Sequence, residues 1–165
     1  MDPKDLMVLG TIINGIDNFT KLNKKTKIPS GELDSIIQRL KERGFIEIKE
    51  KKGWLGTKIE IRSNEKGQNE FSQRIHELEE DWNGMAELYK SGNTQQLKQI
   101  MDERKNFLPT MMFFGIIDVM MFSAMFSMMG LTMSNYLPTE NIQDMSDGFG
   151  DSDSGDGGFD IDIGF

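Results

Sequence analysis

The chain carries no cysteine, a single histidine and only four prolines in 165 residues. Without cysteine, disulfides and thiolate metal sites are excluded, and a reducing compartment is allowed. The lone histidine, His76, falls among charged residues in a helical pattern, which suits a solvent-facing side chain better than a metal ligand or a general base. No catalytic residue, metal site or cofactor is expected, and the chain does not read as an enzyme. Its start, Met1-Asp2-Pro3-Lys4-Asp5, lacks the basic opening of a signal peptide, so the expected location is the cytoplasm.

Basic residues are in excess at first and then become scarce. Up to Lys66 there are fourteen Lys and Arg against ten Asp and Glu, a balance of +4. The remainder has five against seventeen, a balance of −12, and the two sum to the formal −8. Such asymmetry fits a domain that faces nucleic acid or a membrane, followed by an acidic tail.

Apolar spacing organises the first part into three helices. Pro3 to Ile16 places Leu6, Leu9, Ile12, Ile13 and Ile16 on one face, with Pro3 at a favourable first position. Phe19 to Lys27 is a short second helix with Leu22 inward, broken at Ile28-Pro29. Ser30 suits the N-cap of a third helix ending at Arg43, with Leu33, Ile36, Ile37 and Leu40 inward and Gly44 as its left-handed stop. A basic hairpin follows. Ile46, Ile48, Ile59 and Ile61 alternate with charged residues, the period of a half-buried two-stranded sheet.

Helix, glycine stop and basic hairpin in this order form the pattern of a winged helix-turn-helix. Residues Pro29 to Leu33 and Ile36 to Ile46 resemble the recognition helix and first wing strand of MarR-type winged-helix regulators. Ile61 to Gly67 resembles the passage from the second wing strand into a long helix. The resemblance covers about residues 4–67 and implies a dimeric, sequence-specific DNA-binding regulator. It does not reach the later segments.

On a helical wheel, the outward face of the third helix presents Gly31, Ser35, Gln38 and Glu42, flanked by Asp34 and Arg39. Gln38 is suited to adenine, Arg39 to guanine or a phosphate, and Ser35 to either kind of partner. Ser30 and the first amides of the helix are placed for a phosphate. Lys24, Lys25 and Lys27 would approach the backbone, while Lys49, Lys51, Lys52 and Lys58 make the wing a phosphate or minor-groove clamp. Trp54 at the wing tip either stacks against a partner or folds back on the hairpin. Glu32, Asp34 and Glu42 oppose a polyanion; a winged helix that binds protein, its lysines merely solvated, is the competing reading.

From Asn64 to Tyr89 a long helix carries Phe71, Ile75, Leu78, Trp82, Met85 and Tyr89 at spacings of 4, 3, 4, 3 and 4. That is a coiled-coil seam, expected to form a homodimer interface. Asn93 with Gln96 resembles a capping box for a further helix with Leu97, Ile100, Met101 and Leu108. Residues 107–135 then form a Met-rich hydrophobic helix in which Asp118 is the one charge among residues 108–131. Three readings fit residues 108–131: a self-associating core, a transmembrane helix with the acidic tail outside, or a groove for apolar partners. Residues 136–165 are acidic and rich in glycine and serine. They end in an alternating Phe159-Asp160-Ile161-Asp162-Ile163 string that is either inert or able to add to a partner's sheet edge.

The expected fold is mostly α with a small β-hairpin. Its expected domains are a winged helix at 1–66, a helical dimerisation region at 67–106, the Met-rich helix at 107–135 and a disordered tail at 136–165. The expected function is a transcriptional regulator that binds double-stranded DNA as a homodimer. The alternative is a membrane-anchored or self-assembling adaptor whose winged helix binds protein.

Overall fold

The computed structural model describes residues 1–54, 56–139 and 142. Among them the chain is mostly helical, with one two-stranded antiparallel ribbon, and it divides into two compact units, Met1–His76 and Glu77–Phe165. The expected acidic tail and its alternating ending fall almost wholly outside the described residues.

The first unit opens with α1 (Pro3–Ile13), α2 (Phe19–Thr26) and α3 (Ser30–Glu42). Asp2 caps α1 by accepting from the Lys4 amide at 3.0 Å. The helix stops three residues short of Ile16, because Gly15 turns at φ +91°, its amide donating to the Ile12 carbonyl while the Ile16 amide reaches back to the Thr11 carbonyl. Asn18 caps α2, and Lys27 ends it in the left-handed conformation at φ 56°. Ser30 is not the cap of α3. It is the first helical residue, Pro29 holds the cap position, and no side chain caps that end. Leu6, Leu9, Ile12, Leu22, Ile28, Leu33, Ile36, Ile37 and Leu40 are buried, so the three apolar stripes read from the sequence make the core.

Gly44 stops α3 at φ +72°, and β1 (Ile46–Gly53) pairs with β2 (Gly56–Ser63) from Ile46↔Ser63 to Gly53↔Gly56. The Ile61 amide donates to the Asp17 carbonyl at 2.8 Å and ties the base of β2 to the α1–α2 connection. The register keeps Ile46, Ile48, Ile59 and Ile61 on one face, as expected, but Ile59 is 55% exposed. Lys49–Gly53 and Gly56–Ile59 are exposed throughout, so half of the ribbon outruns the core that was to cover it.

The long helix α4 (Glu65–Lys90) starts at a tight junction. Asn64 accepts from the Gly67 amide at 2.9 Å, while its own amide and side chain donate to the carbonyls of Phe45 and Gly44. Gly67 lies so close to this turn that a Cβ there would sit 2.2 Å from the Phe45 carbonyl oxygen.

In the second unit, the end of α4 is followed by α5 (Thr94–Arg104), a short 3-10 turn at Lys105–Phe107, α6 (Leu108–Phe113), α7 (Val119–Met129) and a second 3-10 turn at Met133–Asn135. Asn93 caps α5 by accepting from the Gln96 amide at 3.2 Å, as its spacing indicates. The Met-rich stretch is not one helix. Gly115 turns the chain at φ +70°, Asp118 accepts from the Met121 amide at 2.8 Å as the cap of α7, and Gly130 ends α7 at φ +65°. Asp118 is thus a helix cap, not a charge set in mid-helix. No helix among the described residues is long and apolar enough to cross a membrane, and residues 108–131 hold two short helices in place of the expected spanning one.

The segment buries itself against its own unit. Leu108, Met111, Phe114, Ile117, Phe122, Met125 and Phe126 are buried, together with Trp82, Met85, Leu97 and Met101. Trp82 and Phe122 lie with ring centroids 6.3 Å apart, and Phe126 is edge-on to both Phe122 and Tyr136. The stripe whose spacing suggests a dimer seam is likewise interior: Phe71, Ile75, Leu78, Trp82 and Met85 are buried within the single chain, and Tyr89 is half-buried.

Tyr136 closes this core and donates from its hydroxyl to Asp102 at 2.6 Å. Burial, together with that bond, pushes its pKa up to about 12. An unfolded tyrosine ionises near pH ~10, so the stabilisation is complete below that pH and is lost as pH rises toward 12. Tyr136→Phe should therefore lower the urea midpoint at pH 8, with the gap to wild type closing toward pH 12. A constant gap across that range would contradict this role.

Candidate nucleic-acid interface

Ser35, Gln38 and Arg39 are all exposed on α3, as the wheel predicts. Their availability differs. The Gln38 side chain makes no hydrogen bond among the described residues, so both its amide ends are open for bidentate contact. The Ser35 hydroxyl donates to the Gly31 carbonyl at 3.1 Å, which leaves its oxygen as an acceptor. Arg39 is already engaged. Its Nε donates to Asp5 at 3.3 Å, and a terminal nitrogen pairs with the other carboxylate oxygen. Asp5 is only 2% exposed, and a carboxylate so buried needs a cation beside it. Arg39 is therefore a tie between α3 and α1, although its side chain remains 47% exposed.

One of the opposing carboxylates is also neutralised, since Glu32 pairs with Lys4 at 2.7 Å. Asp34 and Glu42 stay exposed. Beside this face, α2 ends with Lys24 and Lys25 in its last turn, and Lys27 follows. All three are exposed. Ser30 is exposed as well and accepts a long bond, 3.5 Å, from the Asn23 side chain.

The ribbon splits its lysines between two faces. By register Lys49, Lys51, Lys58 and Arg62 share one face with Glu47 and Glu60, while Lys52 lies on the other with Ile59. Lys49 pairs with Glu47 at 3.4 Å. Lys51 reaches Glu60 at 2.6 Å, and Arg62 Nε donates to the same carboxylate at 2.9 Å. These hydrogen bonds, Lys51 first, hold the Glu60 carboxyl down to about 2. Strand alternation misses this feature: Glu60 should be exposed, yet its two flanking cations close over it. Lys52 and Lys58 have no ion-pair partner among the described residues. Lys58 stands directly opposite Lys51, a like-charge pair that a ribbon tolerates at some cost in stability.

Trp54 does not fold back. It is 101% exposed at the turn.

No known family model and no curated protein matches this chain.

Eight cationic groups of the first unit, drawn from α3 and its C-cap, the ribbon and the start of α4, fall into three sets. Arg39, Arg43 and Lys66 serve the fold: Arg43 and Lys66 sit over the Phe45 ring at 4.8 and 5.2 Å, and Lys66 donates to the Arg43 carbonyl at 2.7 Å. Lys49, Lys51 and Arg62 are shared with ribbon carboxylates, the last a residue that the sequence reading passed over. Lys52 and Lys58 remain for an outside anion.

Proposed function

We propose that this chain is a double-stranded-DNA-binding transcriptional regulator whose first unit works as a winged helix. In this reading α3 enters the major groove through Gln38 and Ser35, and the ribbon lies along the backbone with Lys49, Lys51, Lys52 and Lys58 on phosphates. The observation that carries it is the ribbon's outer half, which is exposed throughout, Ile59 included, and holds two cations with no ion-pair partner among the described residues. Such a structure has no packing role, and phosphates would relieve the repulsion between Lys51 and Lys58.

A second reading, a winged helix that binds protein, is favoured by Asp34 and Glu42, which keep negative charge on α3. Selection of bound fragments from random duplex DNA, using the full chain, separates the two. DNA reading predicts enrichment of a sequence whose preference relaxes at one or two positions in Gln38→Ala. A good bidentate pair discriminates by about 1–3 kcal/mol, so the relaxation should be measurable. Enrichment unchanged by Gln38→Ala removes that residue from the reading face, and absence of any bound DNA favours protein binding.

A further inference from the structure

Trp54 rides at the end of the ribbon, 101% exposed, with nothing packed against it among the described residues. Gly53 and Gly56 pair across the turn and offer the indole no side chain to lie on. From Lys49 to Gly53 the exposed stretch reaches roughly 15 Å beyond the covered base at about 3.4 Å per residue. Both strands put lysines just behind the ring: Lys51 opposite Lys58, and Lys52 opposite Thr57.

We propose that Trp54 is a stacking wedge, and that the ribbon tip selects DNA with an exposed base face, such as a gap, a mismatch or a single-strand junction, over an uninterrupted duplex. The proposal rests on the DNA reading above and deepens it. An aromatic ring stacks on any base, because every base presents a π-face. In an intact duplex those faces are covered, and inserting a ring must first unstack a step. At a gap or mismatch that cost is largely absent. The chemistry around the ring fits the site, since a break in the stack is bordered by phosphates at the spacing of a strand backbone. Lys51, Lys52 and Lys58 are cations within a residue or two of the turn on both strands. A lysine-flanked Trp would also suit an anionic membrane surface. The opposed lysines on a narrow ribbon, joined to a helix face with an open glutamine, favour a polyanion with a groove, and the membrane becomes an outcome of the test.

The test uses the full chain and three probes: a short intact duplex, the same duplex with a one-nucleotide gap, and vesicles rich in phosphatidylserine. Wild type should bind the gapped duplex about 10-fold tighter than the intact one, the factor a single base–aromatic stack supplies. Tryptophan fluorescence should be quenched by the gapped duplex only. Trp54→Ala should keep the affinity for intact duplex and lose the preference, and Trp54→Phe should retain part of it. Because Trp54 is fully exposed and packs on none of the described residues, neither variant disturbs the fold, and the buried Trp82 supplies a constant background signal.

Equal affinity for both duplexes, or a preference that survives in Trp54→Ala, overturns the wedge while leaving duplex binding intact. Failure to bind either duplex overturns the underlying reading as well. A blue-shifted emission with vesicles, but not with DNA, reassigns the tip to a membrane surface.

Discussion

Replacing Gly67 with alanine should destabilise the first unit by about 3 kcal/mol, the upper part of the usual range for overpacking. The added Cβ would lie 2.2 Å from the Phe45 carbonyl oxygen and 3.0 Å from its carbon. Backbone atoms cannot rotate away as the end of a flexible side chain does, so the start of α4 or the α3–β1 turn must move. The turn is also where Asn64 fastens the Gly44 and Phe45 carbonyls, so a shift there strains three hydrogen bonds at once. Gly84→Ala, in the same helix, is the control. Nothing lies within 4 Å of its Cβ position, and alanine there should stabilise by about 1 kcal/mol from helix propensity alone. Denaturant midpoints that move the same way in both variants would contradict the close approach at Gly67.

Reversing charge at Lys52 and Lys58 should weaken binding to every duplex sequence by on the order of 100-fold near 0.1 M salt, with a salt dependence shallower by about two phosphate contacts. Both lysines lack a carboxylate partner among the described residues, so Glu at these positions breaks no ion pair seen there and leaves stability nearly unchanged. The opposite change gives the opposite result. Glu60→Gln removes the anion that Lys51 and Arg62 share and should tighten binding several-fold, while steepening the salt dependence. Its own pH dependence has a defined sign. Glu60 is held down to about 2, against an ordinary value of 4.5. The contacts it makes are therefore intact above pH 4.5 and are lost as pH falls toward 2. Gel-shift or anisotropy titrations of the three proteins measure these effects together. Lysine reversal without loss of affinity would place the DNA contact elsewhere.

The first unit was legible because its signals are local and agree with one another. Leu33, Ile36, Ile37 and Leu40 repeat at helical spacing, Pro29 and Gly44 bracket them, and the isoleucines of the ribbon alternate with charge. Each signal is decided within a few residues, and the structure follows it to within a residue or two at α3, though α1 ends earlier. Ser30 was misassigned because a serine before an apolar helix reads as a cap, whereas the proline ahead of it already holds that position.

Contacts distant in sequence were not legible. Arg39 falls at the edge of the outward face, and nothing near it in sequence reveals that Asp5, 34 residues earlier, is buried beneath it. The 4-3-4-3-4 stripe of α4 correctly marked one apolar face, but spacing cannot say whether a second copy or the same chain covers it. At Trp82 that cover comes from the Met-rich stretch, which lays Phe122 against it. That stretch was read as continuous because its composition overwhelmed its punctuation. Gly115, Asp118 and Gly130 are an ordinary turn, cap and stop. Given those three residues their usual weight, two short helices follow, and with them a folded second unit instead of a spanning helix.

The claim on which the function rests is that the ribbon's lysines meet phosphates. It is tested most directly by the affinity of the full chain for an intact duplex, measured as a function of salt. Four lysine–phosphate contacts predict that log K falls against log salt with a slope of about −3 to −4, and that reversal of Lys52 and Lys58 removes about half of it. A slope near zero, or one that the reversal leaves unchanged, would contradict the account.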